Sequence, residues 1–174
     1  KRLSFPLRVF QTEHVRVATD LPEEFARHYA KAAEEGFRLA ASVLSAEGAG
    51  PGLLRCFPVS TEERFGEILT AVAGLGDAAR RVYLSRGTCR RTGLFLTVQK
   101  EASYLRTDRY MHNGAEHALD RLRLPPWLRE GLAYAATREL NDSSSSVCWP
   151  AERGSQVRAD ESWRQEDAWR DLLL

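Results

Sequence analysis

No stretch of this sequence approaches the ~20 consecutive apolar residues that carry a helix across a bilayer, so a helical membrane span is not expected. No signal peptide is visible at its start. Since the first residue is Lys1 rather than Met, a removed leader, or membership of a larger chain, stays open. Cysteine is scarce: Cys56, Cys89 and Cys148 are too few and too far apart for a zinc ribbon or a C-x-x-C redox pair, and an odd number permits at most one internal disulfide. They read as reduced, buried thiols, which leaves the compartment undetermined. An excess of one charge is also missing, because 25 Lys and Arg stand against 24 Asp and Glu. The resulting net charge of +1 argues against bulk attraction to nucleic acid or an anionic membrane. Neither a glycine loop that would cradle phosphates, nor a nucleophile elbow, nor a Cys-His nucleophile signature appears, so nothing supports those enzyme classes. No internal repeat is apparent.

What is present suits one globular domain. The 174 residues, 43% hydrophobic and 28% charged, suffice for a real core with or without an appended tail. Lys1 to Gln11 reads as a basic and apolar lead-in, and the alternation over Thr12 to Thr19 predicts a strand. Asp20 then offers a helix cap, followed by Pro22, Glu23 and Glu24 at the positive end of the helix dipole. Phe25, Tyr29, Ala33, Phe37, Ala40 and Leu44 would form the buried face of that long helix. After a Gly-rich turn region over Ser45 to Gly52, Leu53 to Val59 predicts a second strand. Ser60 and Glu63 have the spacing of a capping box, opening a helix with Phe65, Ile68, Leu69 and Val72 inward. Arg81 to Ser85 and Gly93 to Gln99 read as short strands with a basic loop, Gly87 to Thr92, between them. Arg80, Arg81, Arg90 and Arg91 are read as surface arginines of a hairpin rather than as a phosphate site. Such a mixture predicts an α+β fold, a small mixed sheet packed against helices.

The chemistry-bearing stretch lies further on. Thr107 or Asp108 can cap a helix running to about Leu124, where Pro125 and Pro126 stop it, with Met111, Ala115, Ala118, Leu119 and Leu122 on its apolar face. His112 and Glu116, four residues apart, share a face of that helix, and His117 follows. A second helix from about Pro126 would turn Leu128, Leu132 and Ala135 inward and carry Glu130 in its first turn, where its charge also suits the helix dipole. Histidine and carboxylate side chains at such spacings, on two adjoining helices, are the donor set of a metal site.

Trp127-Leu128-Arg129-Glu130-Gly131-Leu132-Ala133 resembles the second motif of the gluzincin zinc peptidases, whose preceding helix carries HExxH. The strand and long helix around the EHVRVATDLPEE segment are similar to the part of such proteins that precedes the zinc motif. The resemblance implies a two-helix core with zinc on His112, Glu116 and Glu130, and an edge strand, including Thr97 and Gln99, that pairs with extended peptide. Its first motif departs in either register. With His112 as the first histidine, Asn113 replaces the general base and Glu116 replaces the second histidine. With His117 as the second histidine, Asn113 stands at the first ligand and Gly114 at the base. An amide and a glycine cannot manage the proton of a zinc-bound water. The expectation is therefore a metallopeptidase-like domain over residues 1–140 without catalysis or bound zinc, retaining a peptide- or protein-binding or structural role. An active zinc-dependent peptidase with His112, Glu116 and Glu130 as ligands, or with His117 in the set, is the alternative, as is a purely structural domain. Residues 141–174 read as a polar loop and C-terminal helical extension of the same domain.

Overall fold

The structure is a computed structural model that describes residues 3–43, 52–72, 75, 77–99, 107–122 and 124–140. The chain divides into two units, Lys1–Asp142 and Ser143–Leu174, of which the second lies outside the described residues. The loop and helix expected over 141–174, Cys148, Leu44 of the expected helix face and all of the Gly-rich turn Ser45 to Gly52 except Gly52 lie outside the described residues.

Five strands, β1 (Arg8–Gln11), β2 (Val15–Thr19), β3 (Leu54–Val59), β4 (Thr88–Arg91) and β5 (Leu94–Val98), form one mixed sheet in the order β1-β2-β3-β5-β4. The inner pairs β2–β3 and β3–β5 are parallel, while the outer pairs β1–β2 and β4–β5 are antiparallel. Helices α1 (Glu23–Val43), α2 (Glu62–Ala71), α3 (Asp77–Arg86), α4 (Thr107–Leu119) and α5 (Pro126–Leu140) complete an α+β fold. Period-two alternation sends Val15, Val17, Leu54, Cys56 and Phe95 toward α1 and α4, and Val59, Cys89, Leu94 and Leu96 toward α2 and α3. Cys56 and Cys89 are buried free thiols, as expected.

The long helix has the predicted face: Phe25, Tyr29, Ala33, Phe37 and Ala40 are all buried. Its start differs, because Asp20 does not serve as its cap. The Asp20 carboxylate instead accepts from the Ser60 amide (2.9 Å) and hydroxyl and from Arg64, tying the end of β2 to the start of α2. Burial pushes that carboxyl upward, but the hydrogen bonds of Ser60 and Arg64 prevail and hold it below the usual range. With Ser60 so engaged, Thr61 caps α2 through the Arg64 amide.

The basic region also rearranges. Arg81 to Ser85, expected as a strand, lies in α3, since Arg80, Tyr83 and Leu84 at helical steps meet α2 and its surroundings. Gly87, at φ 63°, ends α3, and the expected loop Gly87 to Thr92 contains strand β4. A two-residue turn with Gly93 at φ 66° then joins β4 to β5. Residues 8–11, read as lead-in, are strand β1, whose Val9 is exposed and so gave a weak alternation.

What positions the candidate site is the crossing of α1 and α4. A Cβ on Gly114 would lie 1.7 Å from the Ala33 carbonyl oxygen, and one on Gly36 1.9 Å from that of Met111, so the two backbones touch directly. Helix α4 stops at Leu119 and tightens into a 3-10 turn, Asp120–Leu122, before the Pro-Pro corner. Leu122 is therefore exposed rather than part of the apolar face. Helix α5 is rotated from its expected face: Ala133 and Thr137 are buried, Leu128 and Leu132 are half-buried and Ala135 is exposed. Small residues of α5 meet Ala115 and Ala118 of α4, which lets the two helices approach closely.

Candidate functional site

With Gly114 pressed against α1, His112 and Glu116 occupy a different side of α4, and the two side chains stand 3.7 Å apart. Glu116 does not face an open cleft. From the edge strand β4, Arg90 reaches inward and sets Nη1 2.5 Å from Glu116 Oε2. From α5, Arg129 brings Nε within 4.0 Å of Glu116 Oε1 and Nη1 within 3.3 Å of Asp120 Oδ1. Arg90 Nη2 lies 3.8 Å from the same Asp120 oxygen. Two guanidinium groups thus bridge two carboxylates where β4, α4 and α5 converge.

Burial raises the Glu116 carboxyl above its ordinary value; Arg90 and Arg129 oppose that shift, and the charges of Glu130 and Asp120 reinforce it. Asp120 goes the other way. Burial pushes it up as well, but the hydrogen bond with His117 and the charges of Arg90 and Arg129 hold it below the usual range.

The predicted residues are only partly brought together. Glu130, half-buried on α5, is near enough for its charge to act on Glu116. Among the described residues, however, His112, Glu116 and Glu130 do not form a set with three ligand atoms within 4.8 Å of one another. The charges around Glu116 also oppose a cation as the side chains stand: an ion on Glu116 would displace Arg90 and sit between two guanidinium groups. His117 is fully buried, with Nε2 at 2.8 Å from the Gly52 carbonyl oxygen and Nδ1 at 3.4 Å from Asp120. Both its nitrogens face acceptors. Asn113, at the general-base position of one register, is buried and donates from Nδ2 to the Tyr29 hydroxyl at 2.8 Å. Gly114, at the base position of the other register, meets α1 backbone where no side chain fits. The Tyr29 hydroxyl also meets Cys56, and burial pushes the phenol well above its usual range and the thiol to about 12, which favours the neutral form of each.

Thr97 and Gln99 are not at a sheet edge. Strand β5 lies between β3 and β4, with Thr97 buried opposite both Pro58 and Thr88, and the Gln99 amide bonded to the Val59 carbonyl. The hairpin partner that takes the edge is β4, which the sequence had disguised as a basic loop. Arg90, Arg129 and Asp120 are the members of the site that motif reading missed. Only Arg129, adjacent to Glu130, lay inside a quoted motif.

A second cluster, Glu13, His14 and Glu34, does gather three potential ligand atoms. Its donors are already spoken for. Glu34 accepts from Thr12 Oγ1 (2.7 Å), the His14 amide (2.9 Å) and Arg38 Nε (3.1 Å), and meets His14 Nδ1 at 2.7 Å. Arg38 also binds Glu13 at 3.1 Å. Burial raises the Glu34 carboxyl, but the bonds with His14 and Thr12 outweigh it and leave the group below its ordinary value. This is a lock on the β1–β2 turn. Compared with known proteins, the chain matches no family profile, no curated protein and no solved structure.

Proposed function

We propose that this chain is a non-catalytic, metallopeptidase-like domain that binds extended peptide at the free side of β4. The observation that carries this reading is the Arg90–Glu116 pair at 2.5 Å, with Arg129 beside it. Guanidinium charge stands where the resembling enzymes would need a metal, and neither Asn113 nor Gly114 can act as a base. Edge-strand recognition needs no metal, because main-chain hydrogen bonds supply the affinity and neighbouring pockets the specificity. Among the described residues β4 pairs with β5 alone, and Arg90 anchors it to α4.

The test uses protein incubated with zinc, desalted and analysed for metal beside Glu130→Gln, followed by titration of the chelator-treated protein with a labelled extended peptide. The expected results are sub-stoichiometric zinc in both proteins and peptide binding that chelation leaves unchanged. Stoichiometric zinc that disappears in Glu130→Gln would replace this reading with that of a working metal site. Absence of peptide binding would remove the recognition role.

A further inference from the structure

The segment that carries α3 and β4 is lopsided in charge although the chain is not. Between Asp77 and Gly93 the sequence places Arg80, Arg81, Arg86, Arg90 and Arg91 against the single acid Asp77. Arg90 is engaged by Glu116 and Asp120, and Arg80 turns to Thr70 at 3.2 Å. Arg81 and Arg86 are exposed on α3. The other outer strand, β1, lies beside α1, where acids and bases nearly balance, so it has no comparable field.

The register of the β4–β5 hairpin identifies which main-chain groups face outward. The Val98 amide donates to the Gly87 carbonyl at 2.9 Å, and the pairing continues through Cys89 opposite Leu96 and Arg91 opposite Leu94. In an antiparallel ladder hydrogen-bonded pairs alternate with non-bonded ones, so Thr88 and Arg90 direct their amide and carbonyl groups away from β5. A strand laid along this side would meet those groups with its backbone and the flanking arginines with its side chains.

Resting on the peptide-binding reading above, we infer that the β4 edge selects acidic extended segments: a strand presenting Glu or Asp at alternate positions beside Arg81 and Arg86. Backbone pairing supplies the attachment, and the arginines supply selection through charge complementarity.

The full chain is titrated, at low and at high salt, with a fluorescein-labelled octapeptide alternating Glu with Thr and Val. A counterpart with Lys in place of Glu, and one with prolines at the pairing positions, are run beside it. The acidic peptide is expected to bind at least about tenfold more tightly than the Lys peptide at low salt, with the margin shrinking as salt screens it. The proline peptide is expected not to bind. Arg81→Glu/Arg86→Glu, two exposed positions whose exchange leaves the core untouched, is expected to erase the preference while the protein keeps its circular dichroism. Equal binding of the Glu and Lys peptides would overturn the acidic selection and leave the edge reading standing. Binding that survives the prolines, or no binding of any peptide, would overturn both.

Discussion

Helix α4 is held on one side by the absence of side chains and on another by charged ones. Against α1 it presents Gly114, and the carbonyls of Ala33 and Met111 fill the space that side chains would need. Toward β4 and α5 it presents Glu116, with Asp120 just beyond its end, and these are met by Arg90 and Arg129. The first contact is steric and insensitive to solution conditions. The second is an electrostatic balance in which burial penalises the carboxylates and the guanidinium groups offset the penalty, so it responds to pH and salt. One helix thus carries both the fixed datum of the fold and its adjustable site.

The largest expected effect breaks the steric side. Gly114→Ala forces a methyl group into the backbone of α1 and is expected to cost about 3 kcal/mol or more, read as a lowered urea midpoint. Gly131→Ala in α5, where a Cβ would meet nothing within 4 Å, is the control. It is expected to stabilise the protein by about 0.5–1 kcal/mol through helix propensity. A wild-type midpoint in Gly114→Ala would mean that the two backbones are not in contact.

Breaking the charged side should cost less and depend on pH. Arg90→Ala is expected to lose about 2 kcal/mol near neutral pH, because Glu116 keeps its burial and loses its nearest cation. Burial raises the folded Glu116 above the ordinary value of 4.5. Its contribution is therefore fully present below the unfolded value and is lost as pH rises through the raised folded one. Arg90 opposes that rise, so its removal carries the folded value higher still. Asp120 has the opposite sign: its lowered carboxyl stabilises above the unfolded value, and that support disappears as pH falls. Both effects make the Arg90→Ala deficit larger toward neutrality and smaller as pH falls, with the Asp120 share persisting to below its ordinary value of 3.8. Urea titrations of both proteins across pH check this, and a deficit that does not change with pH would refute the electrostatic account.

The smallest effect sharpens the boundary between the two sides. Tyr29→Phe removes the acceptor of Asn113 without altering ring packing and is expected to cost about 1 kcal/mol. Since neither group titrates near neutrality, the loss should be the same across the pH range in which Arg90→Ala varies. A pH-dependent Tyr29→Phe deficit would show that the Asn113 contact is coupled to the charged cluster.

Much of the scaffold was legible. The period of Phe25, Tyr29, Ala33, Phe37 and Ala40 marks the buried face of α1, and short apolar runs bounded by turn residues mark β3 and β5. The α3–β4 region misled because Val82, Tyr83 and Leu84 suit a strand by propensity, whereas packing of Tyr83 and Leu84 with the α2 side of the core favours a helix. Asp20 misled in the same way: its position fits a helix cap, but Ser60 and Arg64, distant in sequence, offer its carboxylate stronger partners.

The sequence by itself determined the α+β class, the long helix and the two helices joined at a Pro-Pro corner. These follow from local periodicity, caps and residue chemistry, which act over a few residues. Only the tertiary structure decided that β4 takes the edge, that Thr97 lies inside the sheet and that Arg90 and Arg129 meet Glu116 and Asp120. Strand order and ion pairing join residues far apart in the chain, and no local pattern records which distant charge a buried carboxylate will meet.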